Sequence, residues 1–332
     1  MTQKINFGRK FFLSLALLCI GSIAVFRGDV GTDTFSYEKI ASDIRADEGL
    51  EGLEVGFASL IRIFQVFLID DRFVIRAISV VYCLLLLIYI LEGNKEEIFY
   101  LFAFYFPAFF YTSSMNVLRV GFSSAFILLA IQFLRKKSFL KTGFYFLIAI
   151  SFHYSAFFLG AYLWVLFGMK SVKLIIRFLI IFLPIGFLLI YLNIDYFLDK
   201  IILYSEVESP SSLSGLGLIF PSLILLFGVW GSNLSLSVKI KLVCWALINL
   251  GFFYLLAFFY YAGLRFLGLT FFALSLSIIM AHEKSESKLN FVICAAFVLS
   301  GLLSFFAAYN GWLLTTDTDG APFLPYKYFW QT

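Results

Sequence analysis

In the stretch LIAISFHYSAFFLGAYLW, residues 147–164, a single histidine interrupts an apolar run. An imidazole titrates near neutrality and can take a proton from an attacking hydroxyl, which makes His153 a candidate base. Two arginines have similar settings. Arg119 lies in SSMNVLRVGFSS with Asn116 one turn earlier, and Arg265 lies in FYYAGLRFLG after Tyr260 and Tyr261. Arginine keeps its charge and grips phosphate oxygens through a fixed fork of donors. Two guanidinium groups beside a histidine therefore suit a lipid-linked phosphate or diphosphate. Asp33, Tyr37 and Glu54 lie in or beside a nearby acidic stretch, and Tyr154, Tyr260, Tyr261 and Trp164 could support the face of a sugar.

Each residue also has a plainer reading. The arginines could be snorkelling anchors, His153 a hydrogen-bonded interface residue, and Asn116 the N-cap of the run that follows it. The carboxylates could simply be solvated, and the aromatics could form an interfacial belt. What favours the chemical reading is convergence, which depends on the elements that carry these residues.

Those elements are membrane helices. The 332 residues are 61% hydrophobic and 14% charged, against about 25% charged in soluble domains, and no soluble domain is visible. Apolar runs of about 15–20 residues recur from end to end, roughly what a ~30 Å hydrocarbon slab requires of a helix. The net charge of +4 is scattered over short loops, which points away from nucleic acid. Cys19, Cys83, Cys244 and Cys294 fall inside apolar runs without metal spacing, and two histidines are too few for a histidine-based metal centre. Neither a metal nor a cofactor is expected.

Charge bias gives the threading. Lys4, Arg9 and Lys10 hold the N-terminus in the cytoplasm, and 11–26 reads as an uncleaved first span. Loop 27–54 carries three basic against eight acidic residues, which suits the outside. Segment 55–69 is short, with Arg62 and Gln65 on one helical face, and reads as an in-plane or re-entrant helix. Run 73–91 returns, 98–114 exits, and 117–134 comes back to the basic residues 135–137. If 142–168 then crossed once, Lys170, Lys173, Lys239, Lys241, Lys284 and Lys288 would face outward and the acidic loop 194–214 inward. If it goes out and back, every later mark is right. The expectation is thus two short arms of about 20–24 Å with His153 and Tyr154 at the tip. Spans 174–193, 215–230, 242–261, 264–281 and 289–308 follow, with the tail 309–332 outside. The predicted fold is all-α: a single polytopic transmembrane domain over 1–332, with about eleven crossings, N-in and C-out. Arg119, His153 and Arg265 then share the outer side.

The order of motifs resembles the EpsG family of polysaccharide-biosynthesis membrane proteins, which includes Wzy-type O-antigen and exopolysaccharide polymerases. The resembling pieces are GTDTFSY at 31–37, LEVGF at 53–57, NVLRVGFSSAFILLA at 116–130, SFHYSAFF at 151–158, AGLRF at 262–266 and PYK at 325–327. Val120 and Tyr154 depart from the residues that usually follow the arginine and the histidine. The resemblance implies a GT-C-like membrane glycosyltransferase in the bacterial inner membrane, active on its periplasmic face in lipopolysaccharide or exopolysaccharide assembly. It would join oligosaccharide repeat units carried on undecaprenyl diphosphate, with no metal or cofactor. Membrane lipid and a chain-length regulator protein would be its other partners. His153, Asp33 and Glu54 would be catalytic, Arg119, Arg265 and Asn116 would hold the diphosphate, and Tyr37, Tyr154, Tyr260 and Tyr261 would contact glycan. The alternatives are a lipid-linked oligosaccharide flippase or other transporter, a membrane acyltransferase that modifies a polysaccharide, and a structural subunit of an export complex.

Overall fold

The computed structural model describes residues 7–31, 33–48, 53–167, 176, 180, 184, 186–188, 190–191, 194–206, 214–314 and 326–331. Among them the chain is helical, with one isolated antiparallel bridge between Arg27 and Tyr328. It divides into two compact units, residues 1–156 with 305–332 and residues 157–304.

The first unit alternates in direction. Helix α1 (Phe7–Val25) runs antiparallel to α4 (Asp71–Glu92): the Lys10 ammonium donates to Leu91 O at one end, and Arg27 reaches Ser79 near the other. Between them, α2 (Thr34–Arg45) and α3 (Val55–Gln65) stay at the Arg27 end. Arg45 and Gln65 both donate to Asp71 Oδ1, at 2.7 and 2.9 Å, and Gln65 also donates to Ala41 O. Arg62 pairs with Asp47 at 3.0 Å, so the polar residues of α3 are taken up by α2 and its flank. Eleven residues span about 16 Å, too little to cross a bilayer.

Helix α5 (Lys95–Tyr100) opens with a reciprocal cap, Asn94 Oδ1 accepting from Glu97 N and Glu97 Oε2 from Asn94 N. It continues through wide π-helical turns over Leu101–Phe110 and Thr112–Asn116. Pro107 lies inside; its ring crowds the carbonyl four residues back, and a wider turn relieves that crowding. Helix α6 (Leu118–Arg135) descends and α7 (Phe139–Phe152) rises against it, with Phe122 stacked on Phe152 and Phe133 on Tyr145 at 5.0 Å. Lys10, Glu92, Glu97, Arg135 and Lys136 thus gather at one end of this unit, and Arg27, Asp33, the start of α2, Glu54, Arg119 and His153 at the other.

The run around His153 is two helices, as the charge pattern requires. Helix α7 ends at Phe152, His153 is extended (φ −161°, ψ 126°), and α8 (Ser155–Phe167) begins two residues later. The helices have 14 and 13 residues, about 20 Å each.

In the second unit, α9 (Ile194–Glu206), α10 (Leu216–Trp230), α11 (Leu236–Phe259) and α12 (Ala262–Lys284) follow, and α13 (Phe291–Leu314) runs from this unit into the first. The turn between α11 and α12 is tight, with Phe253 stacked on Phe266 at 4.9 Å. Among the described residues, six helices are long and apolar enough to cross a membrane: α1, α4, α6, α11, α12 and α13. Four shorter apolar helices are α3, α7, α8 and α10. Most of the expected span 174–193 lies outside the described residues.

The start of α6 depends on close backbone approach. A Cβ on Gly121 would meet Ser113 O well inside contact distance, whereas one on Gly143, in α7, would meet nothing within 4 Å. Gly121→Ala is therefore expected to cost about 1–3 kcal/mol through forced separation, seen as a lower Tm in detergent. Gly143→Ala should leave Tm unchanged or raise it, through helix propensity. Equal effects at both positions would contradict this packing.

Candidate functional site

Three segments bring side chains together at the α6 start. Glu54 immediately precedes α3, Arg119 lies in the first turn of α6, and His153 follows α7. Glu54 is 0% exposed, and each of its oxygens is engaged: Oε2 accepts from Arg119 Nη1 at 2.6 Å, and Oε1 lies 2.6 Å from His153 Nδ1. Arg119 and His153 each keep 21% of their side-chain surface exposed. One buried carboxylate thus joins a cation and an imidazole that both reach the surface.

The backbone explains the placement. A Cβ on Gly56 would stand 2.8 Å from Ser151 O, so only glycine lets the first turn of α3 lie against the last turn of α7. Glu54 and His153 then face each other, with the imidazole held by the extended backbone of its own residue. Burial would push the Glu54 carboxyl up. The hydrogen bond to His153 and the charges of Arg119 and His153 outweigh this and hold it below its ordinary 4.5. When the imidazole is neutral and donates Nδ1–H to Glu54, Nε2 is left as the basic nitrogen, the orientation a carboxylate favours in a catalytic imidazole.

Other expected residues are arranged around this triad. Asn116 Oδ1 accepts from Asp33 N at 2.9 Å, tying the first loop to the end of the π-helical segment. Asn116 is not the cap of α6; Val117 holds that position. Tyr37 is 5% exposed with its ring edge-on to Phe57, 5.5 Å between centroids, which leaves no face for a sugar. Burial raises its phenol, against the opposing pull of Arg119. Tyr154 is half-buried and close enough to feel the Glu54 charge.

Arg265 belongs to the second unit. It lies in the first turn of α12 with its guanidinium 5.8 Å from the Tyr261 ring centroid, and the Tyr260 hydroxyl donates to Ile201 O at 3.2 Å. Among the described residues no group of three or more His, Cys, Asp or Glu could hold a metal ion. Sequence reasoning overlooked Arg27, which is 1% exposed beneath the Asn116 turn. Its signal was an arginine directly after an apolar run, which reads equally well as a snorkelling anchor.

The family model for EpsG matches residues 10–328. No curated protein and no solved structure matches the chain.

Because the folded carboxyl of Glu54 titrates below its unfolded value, its ionisation stabilises the fold fully above about pH 4.5. That stability is lost as pH falls through the depressed folded value. Glu54→Gln should therefore lower stability at pH 7 by about 3 kcal/mol, the lower end for breaking a buried pair. The gap to the native chain should close below about pH 4.5, as measured by thermal unfolding across pH. A gap that stays constant with pH would contradict an ionised Glu54.

Proposed function

The chain belongs to the EpsG family, and from that premise we propose that it polymerises oligosaccharide repeat units carried on undecaprenyl diphosphate at the periplasmic face of the inner membrane. It is a multi-pass membrane protein of a polysaccharide-biosynthesis family. The observation that carries the finer reading is the buried Glu54 carboxylate, which orients His153 and holds Arg119 at a partly exposed end of the first unit.

In this reading His153 Nε2 takes the proton of an acceptor hydroxyl on one lipid-linked glycan. The hydroxyl oxygen bonds to the anomeric carbon of the other glycan, and the bond from that carbon to the lipid diphosphate breaks. The bonding pair leaves with the diphosphate, and Arg119 stabilises the developing charge, the role for which a fixed guanidinium fork is suited. Glu54 touches neither substrate; it fixes the imidazole tautomer and balances charge, so it is a positioning residue. Asp33 and Asn116, joined to each other, hold the first loop against the site. Tyr154 is assigned to the acceptor glycan. Arg265, with Tyr260 and Tyr261, is assigned to substrate binding in the second unit.

Purified protein given lipid-linked repeat units should extend them into a ladder of products. His153→Ala should slow extension by roughly 10²–10⁴-fold, the usual contribution of a general base. Arg119→Ala and Arg265→Ala should leave mainly single units at normal protein levels. Full-length ladders from all three variants would remove this reading.

A further inference from the structure

Arg27 closes the first apolar run, and nothing in the proposed chemistry uses it. Its Nη1 donates to Ala24 O, Ser79 Oγ and Ser114 O, each at 2.9 Å, and its Nε to Thr34 Oγ1 at 3.3 Å. The end of α1, the start of α2, the first half of α4 and the last π-helical turn therefore meet on one guanidinium. Thr34 Oγ1 lies 3.4 Å from Met115 O, and Asn116 Oδ1 accepts from Asp33 N. Residues 114, 115 and 116 are thus each tied to the Arg27 side chain or to the loop that follows it. Arg119 lies in the helical turn immediately beyond.

The backbone around Arg27 is fixed as well. Arg76 Nε donates to its carbonyl at 3.1 Å, and the C-terminal segment 326–331 docks beside it. Gly28 N donates to Lys327 O at 2.9 Å, Phe329 N donates to Phe26 O at 3.0 Å, and the Tyr326 hydroxyl donates to Ile23 O. The Arg76 guanidinium stands 5.2 Å from the Phe329 ring centroid. Burial, with Arg76 nearby, pulls the Arg27 pKa down to about 10, so it remains charged at neutral pH. Burying a charge on neutral oxygens is costly, and a well-packed apolar residue would join these helices at less cost. What the guanidinium adds is direction, because Nη1 and Nε lie in one rigid plane and draw acceptors from four segments to one point, while Nη2 has no hydrogen-bond partner among the described residues.

We propose that Arg27 is a positioning residue: it locks the 114–116 turn, and through that turn sets Arg119 against Glu54 and His153, with segment 326–331 as the strap that holds Arg27 itself. This deepens the polymerase reading and rests on it only for activity.

The test has two arms on the full chain in detergent. The first is the proton resonance of the His153 Nδ1–H bonded to Glu54; His282 is the only other histidine, and His282→Gln identifies its signals. This resonance should vanish in Glu54→Gln, broaden or vanish in Arg27→Met and Arg27→Lys, and weaken in Thr34→Val. It should persist in Arg135→Met, which breaks a buried pair with Glu97 at the opposite end of the unit. The second arm is kinetic. Arg27→Met should lower kcat on the order of 10–100-fold, the scale of a small misplacement, with KM within about twofold, and lysine should not rescue it. Should Arg27→Met fail to fold, Thr34→Val decides the matter. A resonance intact in both, or lost equally in Arg135→Met, would overturn the proposal. If the wild type does not elongate glycans, the polymerase reading fails while the resonance still decides the role of Arg27.

Discussion

A carboxylate with no exposed surface costs several kcal/mol to bury, and two close partners must offset that cost. Glu54 obtains them from segments far apart in sequence: Arg119 in the first turn of α6 and His153 just past α7. Because each partner holds a different oxygen, loss of one leaves the carboxylate the other, and the three segments separate fully only when both contacts break. The two close backbone approaches serve this arrangement. Gly56 lets α3 lie on α7, and Gly121 lets α6 lie on the π-helical segment. The same contact that fixes the fold at this end also orients the imidazole and the guanidinium, so stability and proposed chemistry share one carboxylate.

The opposite end of the first unit solves a similar problem without an accessible imidazole. Glu97 is 1% exposed, accepts from Arg135 at 3.0 Å, and also receives Gln132 and the backbone of Asn94. Between the two ends lies an apolar layer crossed by a short chain of hydroxyls, Tyr82 to Tyr105 at 2.8 Å and Tyr105 to Ser124 at 2.6 Å. Every polar group in such a layer needs an internal partner, because lipid offers none. The aromatic π-helical segment supplies one of these partners while its last turn delivers Asn116 to the first loop.

Much of this was legible without a structure. Apolar run length and low charge content demand membrane helices, since charge inside a bilayer is expensive, and six long helices fall on runs read that way. The break at His153 was expected from lysines far downstream, because a single crossing would have put all of them on the side that charge bias disfavours. Arg119 and His153 were recognisable as ionisable residues inside apolar runs.

Their mutual partner was not recognisable in the same way. Glu54 closes an acidic loop, and every carboxylate of that loop looks solvated when read along the chain. Arg27 reads as an anchor, Tyr37 by resemblance as a glycan contact and Asn116 as a helix cap, yet the first is buried among four segments, the second packs on Phe57 and the third binds Asp33. Composition and periodicity determine which segments avoid water, because each segment meets the solvent on its own. Burial of one loop carboxylate is decided only when separate helices converge on it, and that convergence belongs to the tertiary structure alone.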